Sequence, residues 1–354
     1  MQLDERVAMK FAILFGGSSY EHEISIVSAI TLKKVLKRSA PLFIFLDARR
    51  EFWLVEPEKM KSKTFSSGEY KKGKKLQLGP GGFSVGGLLG SKPLAFDVLI
   101  NLIHGRDGED GKIAALMDFH GVPYIGPRLE ASVLSYSKLH TKLLARELGI
   151  ATLEYRLLQK GGDRQCDLGF PCIVKPVHLG SSIGVSVVRS AQELDYALDV
   201  AFEFDEQVLL EPFVEGIREY NLAGCHTTAW ELSLVEEPQK EEFLDFDKKY
   251  RDFSRDGRVR EAVIDAPLRE ELERAFRKIY DPLFRGSLIR CDFFVVDGRV
   301  HLNEINPIPG SLAHYLFDDF EAMLERLAAH LPVEKPLTID YRYIHSIQSA
   351  KGKA

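Results

Sequence analysis

The chain has 354 residues, a formal charge of −5 and an apolar fraction of 45%; at roughly 100–200 residues per domain, that is two or three globular domains. No apolar run approaches the ~18 residues that span a bilayer, and Met1-Gln2-Leu3-Asp4-Glu5-Arg6 lacks the basic-then-apolar pattern of a signal peptide, so a cytoplasmic protein with no membrane partner is expected. Mild acidity argues against nucleic acid as a partner, and Cys166, Cys172, Cys225 and Cys291, with no CxxC pair among them, are expected as reduced thiols.

Phe11-Ala12-Ile13-Leu14-Phe15, ending at Gly16-Gly17, reads as a buried parallel strand. A helix follows on Ile24, Val27, Ile30, Val35 and Leu36, with Lys33, Lys34, Lys37 and Arg38 at the end where cations oppose the helix dipole. Leu42–Leu46 and Val98–Ile103 are further strands, so the N-terminal part is a doubly wound α/β domain with right-handed crossovers. Between them lies a lysine-rich stretch, Lys59–Lys75, and a glycine-rich one, Gly79–Gly90, expected as a solvated loop and a glycine-bounded hairpin. Gly68, Gly73 and Lys74 have Walker spacing, but Lys75 stands where Ser or Thr is required, which rejects a P-loop.

A second unit begins near Gly126-Pro127. Ser137 suits the N-cap of a helix that runs through Leu148 and stops at Gly149. Strands are expected at Cys172–Lys175 and Val185–Val188 and a helix at Ala191–Phe202. A third unit starts at Val208-Leu209-Leu210-Glu211, with helices near Pro267–Asp281 and His314–His330 and paired strands at Leu288–Val296 and Arg299–Ile305. The expected units are 1–125, 126–210 and 211–354. No fixed-period repeat is present, which excludes solenoids and propellers.

Two constellations carry chemistry. Lys175 ends a buried strand and is followed by Gly180-Ser181-Ser182-Ile183-Gly184; small residues let backbone N–H groups approach a polyphosphate, and lysine adds a point charge. The second is Arg290-Cys291-Asp292 followed by Asn303-Glu304-Ile305-Asn306. Asp292, Glu304 and Asn306 supply hard oxygens suited to magnesium if one face carries all three. A two-residue Asp297-Gly298 turn would pair 292 with 303 and put Glu304 on the other face. A three-residue loop, Val296-Asp297-Gly298, would pair 292 with 302 and 290 with 304, and that loop is expected. Arg290 then shares the face and could stabilise negative charge in a transition state.

With Lys138 and Glu211 added, these residues resemble the ATP-grasp ligases, whose ATP lies between two α+β units with two magnesium (or manganese) ions. Phe15-Gly16-Gly17-Ser18-Ser19-Tyr20-Glu21-His22-Glu23 and His104-Gly105-Arg106-Asp107-Gly108-Glu109-Asp110-Gly111 are similar to N-terminal signatures of the D-alanine:D-alanine ligase family. The likeness runs from about Phe11 to about His330. It implies an N-terminal doubly wound α/β domain followed by an ATP-grasp fold of two α+β units. It also implies ATP-dependent joining of two D-alanine molecules through an acyl phosphate, in a homodimer that supplies peptidoglycan precursor.

The resemblance assigns roles. Lys138, Lys175 and Ser182 would lie at the ATP phosphates, Glu211, Pro212, Phe213 and Val214 at adenine, and Glu219 at ribose. Lys249, in a lid of about 236–262, would reach the γ-phosphate, and Tyr250 would help close the site. Glu21, Ser181 and Tyr250 would form a hydrogen-bonded set near the first D-alanine, with Arg290 and Gly310 at the tetrahedral intermediate and His104 near the second substrate. Where the family often has serine at that second site, this chain has Tyr315, so Ser311, His314 and Tyr315 share the candidacy for its carboxylate; Leu244 replaces a tyrosine of some relatives.

Other readings stand beside these. Glu21 and Glu23 also suit the first turn of the helix, where the dipole favours acids. His104 also reads as a solvent-facing loop histidine, and Lys249 as part of a solvated charged loop. Another carboxylate–amine ligase of the ATP-grasp class, or a nucleotide-binding module without catalysis, would share the ATP residues. A dinucleotide-dependent oxidoreductase is disfavoured because Gly16-Gly17-Ser18-Ser19 does not complete the glycine pattern.

Overall fold

The computed structural model describes residues 9–87, 90–238 and 261–350. Strand β1 (Phe11–Gly16) lies between β2 (Leu42–Leu46) and β7 (Val98–Asn101), parallel to both, and β8 (Tyr124–Ile125) runs parallel beyond β7. Side chains alternate across a strand, so the continuous apolar run of β1 is divided between two cores. Phe11, Ile13 and Phe15 share one with Ala29 and Leu32 of helix α1 (His22–Val35). Ala12 and Leu14 share the other with Ile113, Ala114 and Met117 of helix Lys112–Phe119. Helices therefore cover both faces, as the doubly wound reading requires.

The lysine- and glycine-rich stretch is more ordered than expected. Strands β3 (Phe52–Val55), β4 (Lys74–Gly79), β5 (Gly82–Gly87) and β6 (Gly90–Pro93) extend the sheet antiparallel from β2, giving eight strands in the order β6-β5-β4-β3-β2-β1-β7-β8. The lysines do not precede a bare hairpin. Phe65 anchors a short helix, Ser62–Ser66, against Phe15 and Phe45, while every lysine from Lys59 to Lys75 stays exposed. A few buried apolar residues suffice to order a stretch whose composition alone reads as loop.

The next sheet contains β9 (Arg156–Gln159), β10 (Cys172–Pro176), β11 (Ser186–Val188) and β12 (Gln207–Pro212) in the order β11-β10-β12-β9, all antiparallel, with helix Ala191–Phe202 packed on one face. Strand β12 is internal to it, pairing with both β10 and β9, so the boundary expected at 210/211 runs through a strand and this sheet ends at Pro212. Helix Lys138–Glu147 begins and ends as its sequence signals: the Ser137 hydroxyl accepts the His140 N–H at 3.3 Å, and Gly149 is left-handed at φ 67°.

The last sheet is β14-β13-β15-β16, formed by β13 (Arg218–His226), β14 (Trp230–Leu232), β15 (Ile289–Val296) and β16 (Arg299–Asn306). Helix Ala266–Leu283 buries Leu272, Phe276 and Ile279 within the core that this sheet shares. The β15–β16 hairpin differs from expectation. Val296 pairs with Arg299, so the turn is the two residues Asp297 (φ 50°) and Gly298 (φ 74°), not three. A β-bulge then shifts the register between Asp292 and Phe293, so Asp292 faces Glu304 and Arg290 faces Asn306, rather than 302 and 304. Either route shifts the register by one residue: the expected loop would take Val296 out of the first strand, whereas the bulge adds one residue, Asn303, to the second, beside the carboxylates.

The first and last units are pinned together at the end of α1. The Glu321 carboxylate accepts the N–H groups of Lys37, Arg38 and Ser39, at 2.8 Å for Ser39, as well as the Ser39 hydroxyl at 2.9 Å. Glu321→Ala should cost about 2 kcal/mol, because it strips the acceptor from part-buried donors; a chemical denaturation midpoint equal to wild type would overturn that role for Glu321.

Candidate active site

Glu21 occupies the N-cap position of α1, yet its side chain makes no capping bond. The carboxylate turns to the loop between β10 and β11, where Ser181 Oγ donates to Glu21 Oε1 at 2.5 Å across 160 residues of sequence. Two glycines make the approach possible. A Cβ on Gly105 would lie 2.5 Å from Oε2, and one on Gly180 would lie 3.0 Å from Oε1. Oε2 has no hydrogen-bond partner among the described residues. Burial, reinforced by the nearby charge of Glu109, pushes the Glu21 pKa up to about 7. The capping alternative therefore fails for Glu21. Of its expected companions Ser181 is in place, while Tyr250, with Lys249, Leu244 and most of the expected lid, lies outside the described residues.

His104 is buried, not solvent-facing, with 4% exposure. Its Nε2 lies 3.0 Å from Ser28 Oγ and its Nδ1 lies 3.7 Å from Glu109 Oε1; burial lowers its pKa. Glu109 is pushed up to about 8, mainly by burial, with Glu304 adding to the rise. Ser28 also accepts the Ser311 N–H at 3.1 Å. Ser311, Leu312 and Ala313 follow Gly310 in three successive left-handed conformations, φ 47°, 52° and 48°, each disfavoured for an L-residue by about 1–2 kcal/mol. His314 Nδ1 bonds the Ser311 carbonyl at 3.2 Å, and the half-exposed Tyr315 ring lies beside it.

Lysine and carboxylate meet on the middle sheet. Lys175 Nζ lies 2.8 Å from Glu211 Oε2 and 3.5 Å from Asn303 Oδ1 of the neighbouring unit, and Lys142 Nζ lies 2.9 Å from Glu211 Oε1. Burial alone would raise the Glu211 pKa, but Lys175 and then Lys142 outweigh it and hold it at about 2. The Lys138 ammonium donates to the Leu179 carbonyl at the edge of the 180–184 loop, in which Ser181 (φ 56°), Ser182 (φ 59°) and Gly184 (φ 70°) turn the chain sharply. Pro212 ends β12, the Phe213 N–H donates to the Pro171 carbonyl at 3.0 Å, Val214 follows, and Glu219 sits on β13 opposite Phe294. The segment expected at adenine is thus the strap between the two sheets.

On the last sheet Arg290 grips Asp292 through two bonds, at 2.7 and 2.8 Å, and Asn306 Nδ2 donates to Asp292 Oδ2 at 3.0 Å. Burial raises the Asp292 pKa against the pull of Arg290. A cleft lined by Glu109, Tyr136, Lys138, Gly180, Glu304 and Asn306 joins residues of all three units.

Sequence reasoning missed Glu109, Lys142 and Ser28. Glu109 lies inside the motif that singled out His104, and Lys142 lies one helical turn after Lys138, on the same face. Ser28 carried no local signal.

An α/β unit followed by two antiparallel sheets, with lysines on one and an oxygen-rich hairpin on the other around one cleft, is the architecture of the ATP-grasp class. Family models for the D-ala D-ala ligase N-terminus and C-terminus match residues 10–127 and 144–322. The chain belongs to the D-alanine–D-alanine ligase family. It is 65% identical over 346 residues to the D-alanine–D-alanine ligase of Sulfurovum sp. (strain NBC37-1), covering 98% of this chain and 100% of that one. It is 58% identical to that of Wolinella succinogenes with the same coverage. The crystal structure of the Helicobacter pylori D-alanine–D-alanine ligase superposes with a TM-score of 0.83 at 53% identity, covering 92% of this chain and 100% of that one. The VanG D-Ala:D-Ser ligase of Enterococcus faecalis, at 23% identity and a TM-score of 0.73 over 91% and 99% of the two chains, shares the fold.

Lys142→Met should destabilise the protein by about 3 kcal/mol, the lower end for orphaning a buried charge, because Lys175 still meets Glu211. A denaturation midpoint unchanged from wild type would refute that role for Lys142.

Proposed function

We propose that this chain joins two D-alanine molecules at the expense of ATP. The observation that carries the reading is the Glu21 carboxylate, buried beside the phosphate loop with one oxygen satisfied by Ser181 and the other unpartnered among the described residues. A buried carboxylate so placed suits an ammonium group. An amino acid held by its ammonium at Glu21 presents its carboxylate toward the cleft where Lys138, Lys175 and Ser182 are assigned to the ATP phosphates.

The γ-phosphoryl group passes to that carboxylate, forming one P–O bond and releasing ADP. The amine of a second D-alanine, positioned near His104 and the 310–315 turn, attacks the acyl carbon; phosphate leaves and the amine loses a proton. Arg290 and the Gly310 N–H are assigned to the oxyanion of the tetrahedral intermediate. Lys249 and Tyr250 keep the lid roles that the resemblance implies, excluding water from the acyl phosphate.

The oxygens of Asp292, Glu304 and Asn306 fit a hard divalent cation, since Asp292 retains lone pairs beyond those that Arg290 and Asn306 engage. Magnesium or manganese bound there, as a pair, would neutralise charge on the transferring phosphoryl group. Glu211 to Val214 and Glu219 are assigned to adenine and ribose. A cytoplasmic homodimer is part of the same reading.

Phosphate release from Mg-ATP should depend on D-alanine and match dipeptide formed. Release indifferent to D-alanine, or without dipeptide, would reject the ligase reading, and response to a different amine would point to another carboxylate–amine ligase. Asp292→Asn should lower kcat by roughly a hundredfold or more; wild-type turnover would remove the metal assignment.

The Glu21 pKa of about 7 gives a signed expectation. A bound ammonium favours the ionised carboxylate, so KM for the first D-alanine should fall as pH rises through about 7. Glu21→Gln should raise that KM roughly ten- to a hundredfold and remove its pH dependence. An unchanged KM in Glu21→Gln would move the ammonium site elsewhere.

A further inference from the structure

We propose that Ser28 is a positioning residue for the second amino acid, its hydroxyl holding His104 and the Gly310–Ser311 peptide in a single arrangement. The inference rests on the ligase reading above for the identity of that substrate, and on geometry for the rest. Ser28 lies in the middle of α1, fully buried, and three separate parts of the chain meet at its Oγ.

A serine hydroxyl has one hydrogen to donate and two lone pairs. The Ser311 N–H is necessarily a donor, so it takes a lone pair of Ser28 Oγ at 3.1 Å. In the proposed arrangement the Ser28 hydrogen goes to His104 Nε2, 3.0 Å away, so the hydroxyl accepts from one side and donates to the other. His104 Nε2 is then an acceptor and the ring hydrogen sits on Nδ1, 3.7 Å from Glu109 Oε1; the ring also has a hydrogen bond to the Ile308 backbone, next to the same turn. The lowered pKa of the buried ring agrees with a neutral imidazole.

On the other side, Ser28 supports a backbone that resists its own conformation. Ser311 opens the run of three left-handed non-glycine residues and is itself buried, and Ser28 Oγ is the acceptor its N–H finds among the described residues. Peptide planes are rigid, so holding the Ser311 N–H also orients the Gly310 carbonyl and restrains Gly310, assigned to the oxyanion. Ser28 thus joins the residue assigned to the second substrate to the turn that carries its other candidates. Glu21, assigned to the first substrate, is two turns away on the same helix and bonded elsewhere.

Phosphate release measured against D-alanine concentration resolves a constant for each amino-acid site, and Ser28→Ala and Ser28→Cys are the variants to compare. Cysteine preserves most of the volume but is a weak acceptor. Both should raise the second-site KM about tenfold or more while leaving the KM for ATP and for the first D-alanine within about twofold of wild type, and both should show cooperative melting. A wild-type second-site KM in both variants would overturn the proposal, as would a loss spread equally over all three constants. Independently of turnover, 15N shifts of the His104 ring should report Nε2 as acceptor in wild type and a changed ring state in Ser28→Ala; an unchanged ring overturns the positioning claim. Absence of D-alanine-dependent release from the wild-type protein would reject the ligase reading itself and with it the second-substrate role, and the ring shifts would then still decide whether Ser28 sets His104.

Discussion

A carboxylate can be buried only if a donor or a cation meets it, and this chain buries Glu21, Glu211 and Asp292 where its three sheets converge. Each is answered differently. Glu211 is clamped by two lysines and Asp292 by an arginine and an asparagine, both largely within their own units. Glu21 is answered across units, by the Ser181 hydroxyl among the described residues. The most strongly compensated group is held far below its ordinary pKa and the least compensated is held above it. The same electrostatic rule therefore holds Glu211 ionised and brings Glu21 into the range where its charge can change near neutral pH.

Helix α1 carries more of the architecture than its apolar stripe suggests. Its inward serines do the joining: Ser25 Oγ accepts the Gly16 N–H at 2.8 Å and donates to the Leu102 carbonyl at 2.6 Å, tying β1 to the strand beside it. One turn on, Ser28 reaches His104 and Ser311. Beyond its last turn the backbone N–H groups at Lys37–Ser39 are gripped by Glu321. One helix thus fixes the first unit against the last at several points, and the cleft between them inherits that rigidity.

The β15–β16 hairpin shows why a face can be read correctly through the wrong geometry. The requirement that Arg290, Asp292, Glu304 and Asn306 share a face demands a register shift of one residue relative to the plain two-residue hairpin. Turn chemistry allowed it at the loop, but Asp297-Gly298 closes the tighter two-residue turn and the shift appears as a bulge at Asn303. The bulge brings Asn303 Oδ1 within 3.5 Å of Lys175, which a plain ladder with a longer loop would not require. The 210/211 boundary failed for a related reason: β12 is apolar enough to open a new core, but its pairing partners lie before it in sequence.

Local sequence was enough for the parallel strands of the first unit, the capped helix after Ser137, the small-residue loop after Lys175, the oxygen-rich pair of strands at 290–306 and the family, because periodicity, capping and motif spacing are local properties of a chain. Whether Glu21 caps its helix or leaves it, what His104 touches, where the bulge falls and that Ser28, Glu109 and Lys142 belong to the site were decided only by the tertiary structure. Those contacts span 160 residues from Glu21 to Ser181 and 283 from Ser28 to Ser311. At such separations a partner is chosen by how separate sheets pack and by which buried polar groups must be satisfied, and no local pattern records that choice.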